Sequence, residues 1–370
     1  MELQTLLKTM VAKDASDLFL TTGAPVAIKT QGQLLHITQA TLPPGTVKSM
    51  ARSLLNNDQW EEFERVQEFN LALALPDIGR FRINLFFQRG EVSMVVRSVK
   101  TKIPSVEALN LPPVLQSIMG QPRGLVLVVG STGSGKSSTL AAMIDHRNAT
   151  QAGHILTIED PIEFLHPHKL SIVNQREVGT DTQDFHHALK NAMREAPDVI
   201  LIGEILDTRT MEAAISFSET GHLCLATLHS NNANQAIDRI LNFFPEEAHK
   251  NVLMNLSLNL KAIISQRLVR NTDGQRIPAV EVLLNTPFVA DLIRQGKVHD
   301  LKKAMEDSLS EGMETFDQCL FRMARTRQIT EATALEAADS RDGLALRFSL
   351  SNGALQGTGN VDPYAEVYDN

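Results

Sequence analysis

The chain has 370 residues, of which 43% are hydrophobic and 21% charged, a composition typical of a soluble globular protein with room for two domains. Its 35 Lys and Arg against 43 Asp and Glu give a formal charge of −8, which argues against a dedicated nucleic-acid binder. Two cysteines cannot form a zinc site alone and favour a reducing, cytoplasmic setting. No apolar stretch suits a signal peptide or a membrane span, so we expect no direct membrane insertion.

Residues 1–103 are predicted to form an N-terminal α+β domain without a catalytic motif of its own. An amphipathic helix is expected at Glu2–Ala12. The elements predicted after it are strands at Asp17–Leu20, Val26–Ile28 and Leu34–Ile37, helices at Val47–Leu55 and Asp58–Val66, and strands at Phe69–Leu75, Gly79–Phe87 and Val92–Val99.

Residues 104–121 are predicted to be a linker with one short helix, and residues 122–341 a second domain. Apolar strands that alternate with helices predict a parallel, doubly wound sheet there. Its strands are expected at Leu125–Val129, His154–Ile158, Val199–Ile202 and Leu223–Thr227. The later helices are expected at Ala248–Arg270, Pro287–Gln295, Asp300–Ser308, Phe316–Thr326 and Glu331–Ala338. Residues 342–370 are predicted to be a flexible tail.

A phosphate-binding loop occupies Gly130–Ser137, where GSTGSGKS satisfies G-x-x-x-x-G-K-[ST] between a predicted strand and a predicted helix. Its glycines let successive backbone N–H groups face one point, and the helix N-terminus adds its positive dipole end. Lys136 is expected to reach the β- and γ-phosphates, and the Ser137 hydroxyl to bind Mg²⁺. The residues predicted to bind ATP are Gly130, Ser131, Thr132, Gly133, Ser134, Gly135, Lys136, Ser137 and Ser138.

Polar side chains follow the other predicted strands, at the edge where an open parallel sheet binds ligands. Glu163, in the EDPIE sequence after the second strand, is the candidate general base. Glu204 ends the third strand and is the candidate for binding Mg²⁺ or polarising the attacking water. His229 ends the fourth and is a candidate sensor of the γ-phosphate, although a lone strand-end histidine is more often structural.

Four ordered motifs resemble the Walker A, Asp, Walker B and His boxes of secretion-superfamily ATPases, the motors of type II secretion and type IV pili. They are the phosphate loop, Ile155–His166, Ala196–Glu204 and Thr220–Ile240. In the N-terminal domain, SDLFLTTGAPVAIKTQGQL and GRFRINLFFQRG also resemble the PilT/PilU pilus-retraction branch.

The resemblance implies a homohexamer whose subunits join a PAS-like N-terminal domain to a RecA-like core and hydrolyse ATP with Mg²⁺. It implies that Arg82 and Arg97 carry positive charge to the γ-phosphate; without the family, both would be taken for exposed strand-face arginines. The implied partners are a PilT-type ATPase and an inner-membrane pilus platform protein, with no nucleic acid. The implied location is cytoplasmic, peripheral to the inner membrane at the pilus base.

Three departures from the family pattern bear on function. Ala290 and Asp291 replace the arginine and asparagine of AIRNLIRE, and with the extended tail they indicate a PilU-like accessory retraction ATPase. Leu206 replaces the usual arginine of GE-x-R-D, a loss that Arg209 could offset. Phe19 stands where histidine is common.

Three alternatives stay open. An assembly or type II secretion ATPase usually carries a four-cysteine insertion, which two isolated cysteines disfavour. A DNA translocase would show DNA-stimulated hydrolysis. A regulator could bind ATP with little turnover.

Overall fold

The computed structural model describes residues 2–30, 32–76, 78–308 and 312–356. Its contacts divide the chain into a first unit, Met1–Lys102 with Ile162–Leu165, and a second unit, Ile103–Pro161 with His166–Asn370. No helix in these described ranges is long and apolar enough to cross a bilayer.

Within the described residues, the first unit is a six-stranded antiparallel sheet with three helices, and its strands run in the order β3-β2-β1-β6-β5-β4. The strands are β1 (Asp17–Thr21), β2 (Pro25–Thr30), β3 (Gln33–Thr41), β4 (Glu68–Leu75), β5 (Gly79–Gln88) and β6 (Glu91–Val99). The helices are α1 (Leu3–Ala12), α2 (Thr46–Leu54) and α3 (Asn57–Val66). Each predicted element of this region forms, with bounds shifted by at most a few residues.

In the described part of the second unit, seven strands form one sheet in the order β13-β12-β7-β11-β10-β8-β9. The strands are β7 (Gly124–Val129), β8 (Gly153–Glu159), β9 (Ser171–Glu177), β10 (Val199–Ile202), β11 (Leu223–Leu228), β12 (Leu260–Arg270) and β13 (Arg276–Leu284). All neighbouring pairs are parallel except β12 with β13.

Helices cover both faces of this sheet. They are α4 (Val114–Met119), α5 (Lys136–Thr150), α6 (Phe185–Ala192), α7 (Thr208–Glu219), α8 (Ala233–Leu241), α9 (His249–Asn259), α10 (Pro287–Arg294), α11 (Leu301–Glu306), α12 (Phe316–Arg325), α13 (Glu331–Ala337) and α14 (Arg341–Gln356). Successive strand residues point to opposite faces, so Leu125 and Leu127 pack with α6 to α11 while Val126 and Val128 pack with α4 and α5. The predicted α/β class is confirmed.

The predicted helix at Ala248–Arg270 is wrong in its second half. Helix α9 ends at Asn259, and the chain continues directly as β12, which lies beside β7 inside the sheet. Because β12 is buried on both faces, its apolar residues run on without alternation, and periodicity does not separate such a strand from a buried helix. The antiparallel edge strand β13 was not predicted either.

The predicted linker contains its one short helix, and part of the predicted flexible tail is helical. Residues 104–121 contain α4, and Val106, Leu111 and Leu115 are buried in the same apolar cluster as strand β7, so this stretch packs as part of the second unit. The tail predicted from residue 342 begins instead with α14, whose buried Leu344 and Phe348 pack against α12 and α13. Residues 357–370 of that predicted tail lie outside the described residues.

Candidate active site

The phosphate loop joins the end of β7 to the start of α5, and its backbone requires glycine. Gly130, Gly133 and Gly135 have φ angles of 154°, 77° and 93°, in the range that other residues rarely adopt. A Cβ atom at Gly130 would lie 2.5 Å from the carbonyl oxygen of Gln266, and one at Gly135 would lie 2.7 Å from its Nε2. The loop is therefore closed on one side by β12 and open on the other, where Ser131, Thr132 and Gly133 are exposed.

Lys136 lies over the loop it follows. Its Nζ donates hydrogen bonds to the carbonyl oxygens of Gly130, at 2.8 Å, and Ser131, at 3.1 Å. Ser137 and Ser138 occupy the first turn of α5 and are half-buried, while Ser134 is buried within the loop. The structure thus gathers all nine predicted ATP-binding residues at one helix N-terminus, a site that favours anions.

Glu204 and His229 meet at the ends of two neighbouring strands. Strands β10 and β11 pair in parallel up to Ile202 and Ala226, which carries both side chains to the same sheet edge. His229 Nε2 lies 2.6 Å from Glu204 Oε1, with the side chains 44% and 31% exposed. The Thr227 hydroxyl donates a 2.6 Å hydrogen bond to the carbonyl oxygen of Gly203, which ties the two strand ends together. The imidazole and the carboxylate therefore lie in direct contact at this edge of the sheet.

A polar cavity of about 530 Å³ connects the phosphate loop with His229. Ser131 and Thr132 line it from the loop, and Gln235 and Arg239 line it from α8. This places His229 beside the loop, on the side where Ser131 and Thr132 are exposed.

The other predicted site residues belong to the first unit. Arg82 on β5 and Arg97 on β6 lie directly opposite each other in the antiparallel ladder. Arg97 Nε also makes a 2.8 Å ion pair with Asp17, a buried carboxylate on β1. Because like charges on paired strands repel, Asp17 offsets the cost of holding two arginines side by side. Sequence reasoning missed this role of Asp17.

Glu163 is part of the first unit by contact, although the Asp box that contains it is otherwise in the second. Its carbonyl oxygen accepts a 3.2 Å hydrogen bond from the Lys100 N–H, and the Leu165 N–H donates to the Lys100 carbonyl oxygen at 2.9 Å. Lys100 Nζ lies 5.3 Å from the centre of the Phe164 ring. The Glu163 side chain is exposed. The predicted residues thus divide between the units, with Glu163, Arg82 and Arg97 in the first.

Glu281 on β13 is a buried carboxyl group near the His229 loop that the sequence did not reveal, because its strand was not predicted. Its Oε1 accepts hydrogen bonds from the Ala233 N–H at 2.8 Å and from the Ser265 hydroxyl at 3.0 Å. Ala233 begins α8, the helix after the His229 loop. The pKa of Glu281 is raised to about 7, mainly by burial and to a lesser degree by the nearby Asp339, against the lowering effects of the two hydrogen bonds and of Arg267. The carboxyl group is therefore poised to titrate near neutral pH.

Replacing Glu281 with glutamine is expected to change how stability depends on pH. The folded pKa of about 7 lies above the ordinary 4.5, so between these values the folded chain binds more protons and stability falls as pH rises. In the wild type this fall in the free energy of unfolding amounts to about 3 kcal/mol. The glutamine variant retains the acceptor oxygen but does not titrate, so its stability should not fall in this way. Urea unfolding at pH 5 and pH 8 should show the variant gaining stability relative to the wild type at the higher pH. Parallel pH profiles would contradict the assignment.

Comparison with known proteins gives the family. The chain matches the family model described as Type II/IV secretion system protein over residues 2–340. It is 50% identical over 353 residues to the type IV pilus ATPase PilU of Pseudomonas aeruginosa, covering 95% of this chain and 92% of that protein. It is 40% identical to the type IV pilus retraction ATPase PilT of the same organism, covering 91% of this chain and 98% of that one.

The structural comparison agrees. The crystal structure of the pilus retraction motor PilT with bound ADP matches with a TM-score of 0.87 at 38% identity, covering 94% of this chain and 99% of that one. The predicted resemblance and the predicted ATPase class are both confirmed. The chain therefore belongs to the Type II/IV secretion system protein family, within which it is an ATPase of the PilT/PilU type.

Proposed function

We propose that this chain is the subunit of a homohexameric motor that hydrolyses ATP to power type IV pilus retraction, as a PilU-like accessory to a PilT-type ATPase. The observation that carries the proposal is the junction of the phosphate loop with the Glu204–His229 pair, on a fold shared with a named retraction motor. Likeness to the type IV pilus ATPase PilU of P. aeruginosa over 95% of the chain supports a PilU-like role in a type IV pilus system.

ATP is proposed to bind with its phosphates on the loop. The Lys136 ammonium would exchange its two carbonyl partners for phosphate oxygens, which are stronger acceptors because they are charged. Ser137 and Glu204 fit a Mg²⁺ ion, since a hydroxyl and a carboxylate are oxygen ligands of the kind this ion takes beside substrate phosphates. The ion would neutralise phosphate charge. His229, paired with Glu204, is proposed to respond to the γ-phosphate.

Three residues of the first unit are proposed to complete the reaction. Glu163 would orient and deprotonate the attacking water, and its exposed side chain leaves the carboxylate accessible. Arg82 and Arg97 would supply positive charge to the transition state, with the arginines coming from a neighbouring subunit in the hexamer. Asp17 would fix the direction of the Arg97 guanidinium. The nucleotide would then drive mechanical work by shifting the subunit between two conformations. A ligand shifts such a conformational equilibrium only by as much as its affinities for the two states differ.

The proposed setting is the cytoplasmic side of the inner membrane at the pilus base. There the hexamer would act through an integral platform protein, without nucleic acid and without inserting directly into the membrane.

One observation favours a second candidate, an ATP-binding regulator with little turnover. Leu206 follows the Walker B glutamate by two positions and is 61% exposed, an apolar side chain where the family usually has arginine. If that arginine is needed between subunits, its loss would leave binding intact and slow turnover.

Genetic complementation tests the proposed role. In a strain deleted for this gene, wild-type protein is expected to restore twitching, whereas Lys136→Ala leaves the cells hyperpiliated or non-twitching. Lys190→Ala changes an exposed lysine on α6 and should behave as the wild type. Deletion cells that carry no surface pili would indicate extension and contradict retraction.

A further inference from the structure

Three consecutive residues of β12 each contact a different part of the second unit. The Ser265 hydroxyl donates to Glu281, which also holds the start of α8. Gln266 accepts a hydrogen bond from Thr139 in α5. The Arg267 guanidinium donates to the carbonyl oxygen of Ala337 at 2.8 Å. The middle residue of the three is the one that lies against the phosphate loop.

Gln266 contacts both ends of that loop and the helix after it. It is 3% exposed, and its Oε1 accepts a 2.6 Å hydrogen bond from the hydroxyl of Thr139, which is fully buried. A Cβ atom added at Gly135 would clash with the side-chain Nε2 of Gln266, and one added at Gly130 would clash with the backbone carbonyl oxygen of Gln266. The buried side chain therefore packs against the last glycine of the loop, while the backbone of the same residue packs against the first.

We propose that Gln266 is a positioning residue for the phosphate loop, holding it in the shape that binds the ATP phosphates. The inference rests on the proposed binding of ATP at this loop. Gln266 acts through Thr139 and the loop backbone and does not itself carry out the reaction.

The chemistry of the side chain suits this position. Thr139 needs an acceptor, because its buried hydroxyl would otherwise be left without a hydrogen bond. Gly135, in turn, precedes Lys136 at the anion-binding end of α5, where a negative charge on β12 would repel phosphate. A neutral amide meets both requirements, whereas leucine fails the first and ionised glutamate fails the second.

The test measures the Kd for ATP, by direct binding, together with kcat and thermal unfolding of the purified chain. Gln266→Leu and Thr139→Val are each expected to raise the Kd about tenfold and to change kcat less than about threefold. Since both remove the same hydrogen bond, the double variant should bind no more weakly than Gln266→Leu alone. Gln275→Leu, at an exposed position in the β12–β13 turn, is the matched control and should leave the Kd unchanged.

Gln266→Glu separates positioning from simple packing. At pH 5, where a buried carboxyl group stays protonated, it retains the acceptor for Thr139 and should unfold near the wild-type temperature. Its ATP affinity should then fall as pH rises and the carboxyl group ionises, and its stability should fall as well. Wild-type Kd values for Gln266→Leu and Thr139→Val, or strictly additive effects in the double variant, would overturn the inference. The binding assay is independent of hydrolysis, so an absence of wild-type turnover would contradict the proposed function alone.

Discussion

Replacing Lys136 with alanine is expected to lower the rate of ATP turnover at least about hundredfold. The ammonium group is the positive charge that the loop itself carries toward the phosphates, and removing one preorganised donor of this kind typically costs a factor of 10² to 10³. In the structure its Nζ lies within hydrogen-bond distance of two loop carbonyls, so it is already held over the loop. Phosphate release by the purified protein, at saturating ATP and Mg²⁺, is the measurement.

Two controls make the Lys136 result specific. Lys190→Ala removes an exposed lysine from α6 and should retain full turnover. Thermal unfolding should show that Lys136→Ala is folded, because Lys136 is half-buried and does not belong to the apolar core. Turnover at the wild-type rate in a folded Lys136→Ala variant would refute the assignment of the nucleotide site.

The second large effect is expected for Glu163→Gln, which should lower kcat at least about hundredfold while ATP still binds. A glutamine amide has nearly the shape of the carboxylate but cannot accept a proton, and a positioned general base contributes roughly 10² to 10⁴ in rate. The fold should tolerate the change, since the Glu163 side chain is exposed and its backbone bond to Lys100 is unaffected. Single-turnover kinetics separates the chemical step from nucleotide binding.

Glu62→Gln provides the matched comparison for Glu163. Glu62 is an exposed carboxylate on α3 in the same unit, and its replacement should leave kcat and Kd at wild-type values. If Glu163→Gln hydrolyses ATP at the wild-type rate, another group must activate the water, and Glu204 becomes the next residue to examine.

Much of the fold could be predicted because many of its strands, helices and turns are marked by residues that are neighbours in the sequence. The strand that leads into the phosphate loop is a short apolar run, and the loop that follows it needs glycine at fixed positions. The meander of β4, β5 and β6 is marked by turn residues such as Pro76 and Gly90, the second of which has a positive φ angle. These signals depend on neighbouring residues alone, and they gave the correct element types.

The remaining elements depend on distant contacts. Strand β12 differs from a helix only because it lies between β7 and β13, which no local pattern reveals. Helix α14 has glycine within it and is held by Leu344 and Phe348 against α12 and α13, so its order comes from packing. With β12 unassigned, the contact of Gln266 with the loop could not be anticipated.

The same distinction applies to the candidate site. Because Glu204 and His229 each follow the end of a parallel strand, the sequence predicts that they share one edge of the sheet. In the structure His229 Nε2 lies 2.6 Å from Glu204 Oε1. The sequence position of Glu163, four residues after β8, favours the ATPase core, yet its backbone pairs with Lys100 of the first unit. That pairing is a long-range contact, and it leaves Glu163 bonded to the unit that also carries Arg82 and Arg97.

The most direct test of the whole account is a crystal structure of the protein with Mg²⁺ and a non-hydrolysable ATP analogue. We expect the analogue's phosphates on the loop with Lys136 bound to them, and Glu163 and Glu204 close enough to act on the γ-phosphorus in at least one subunit conformation. A structure in which both carboxylates stand well away from that phosphorus in every subunit would contradict hydrolysis by this site.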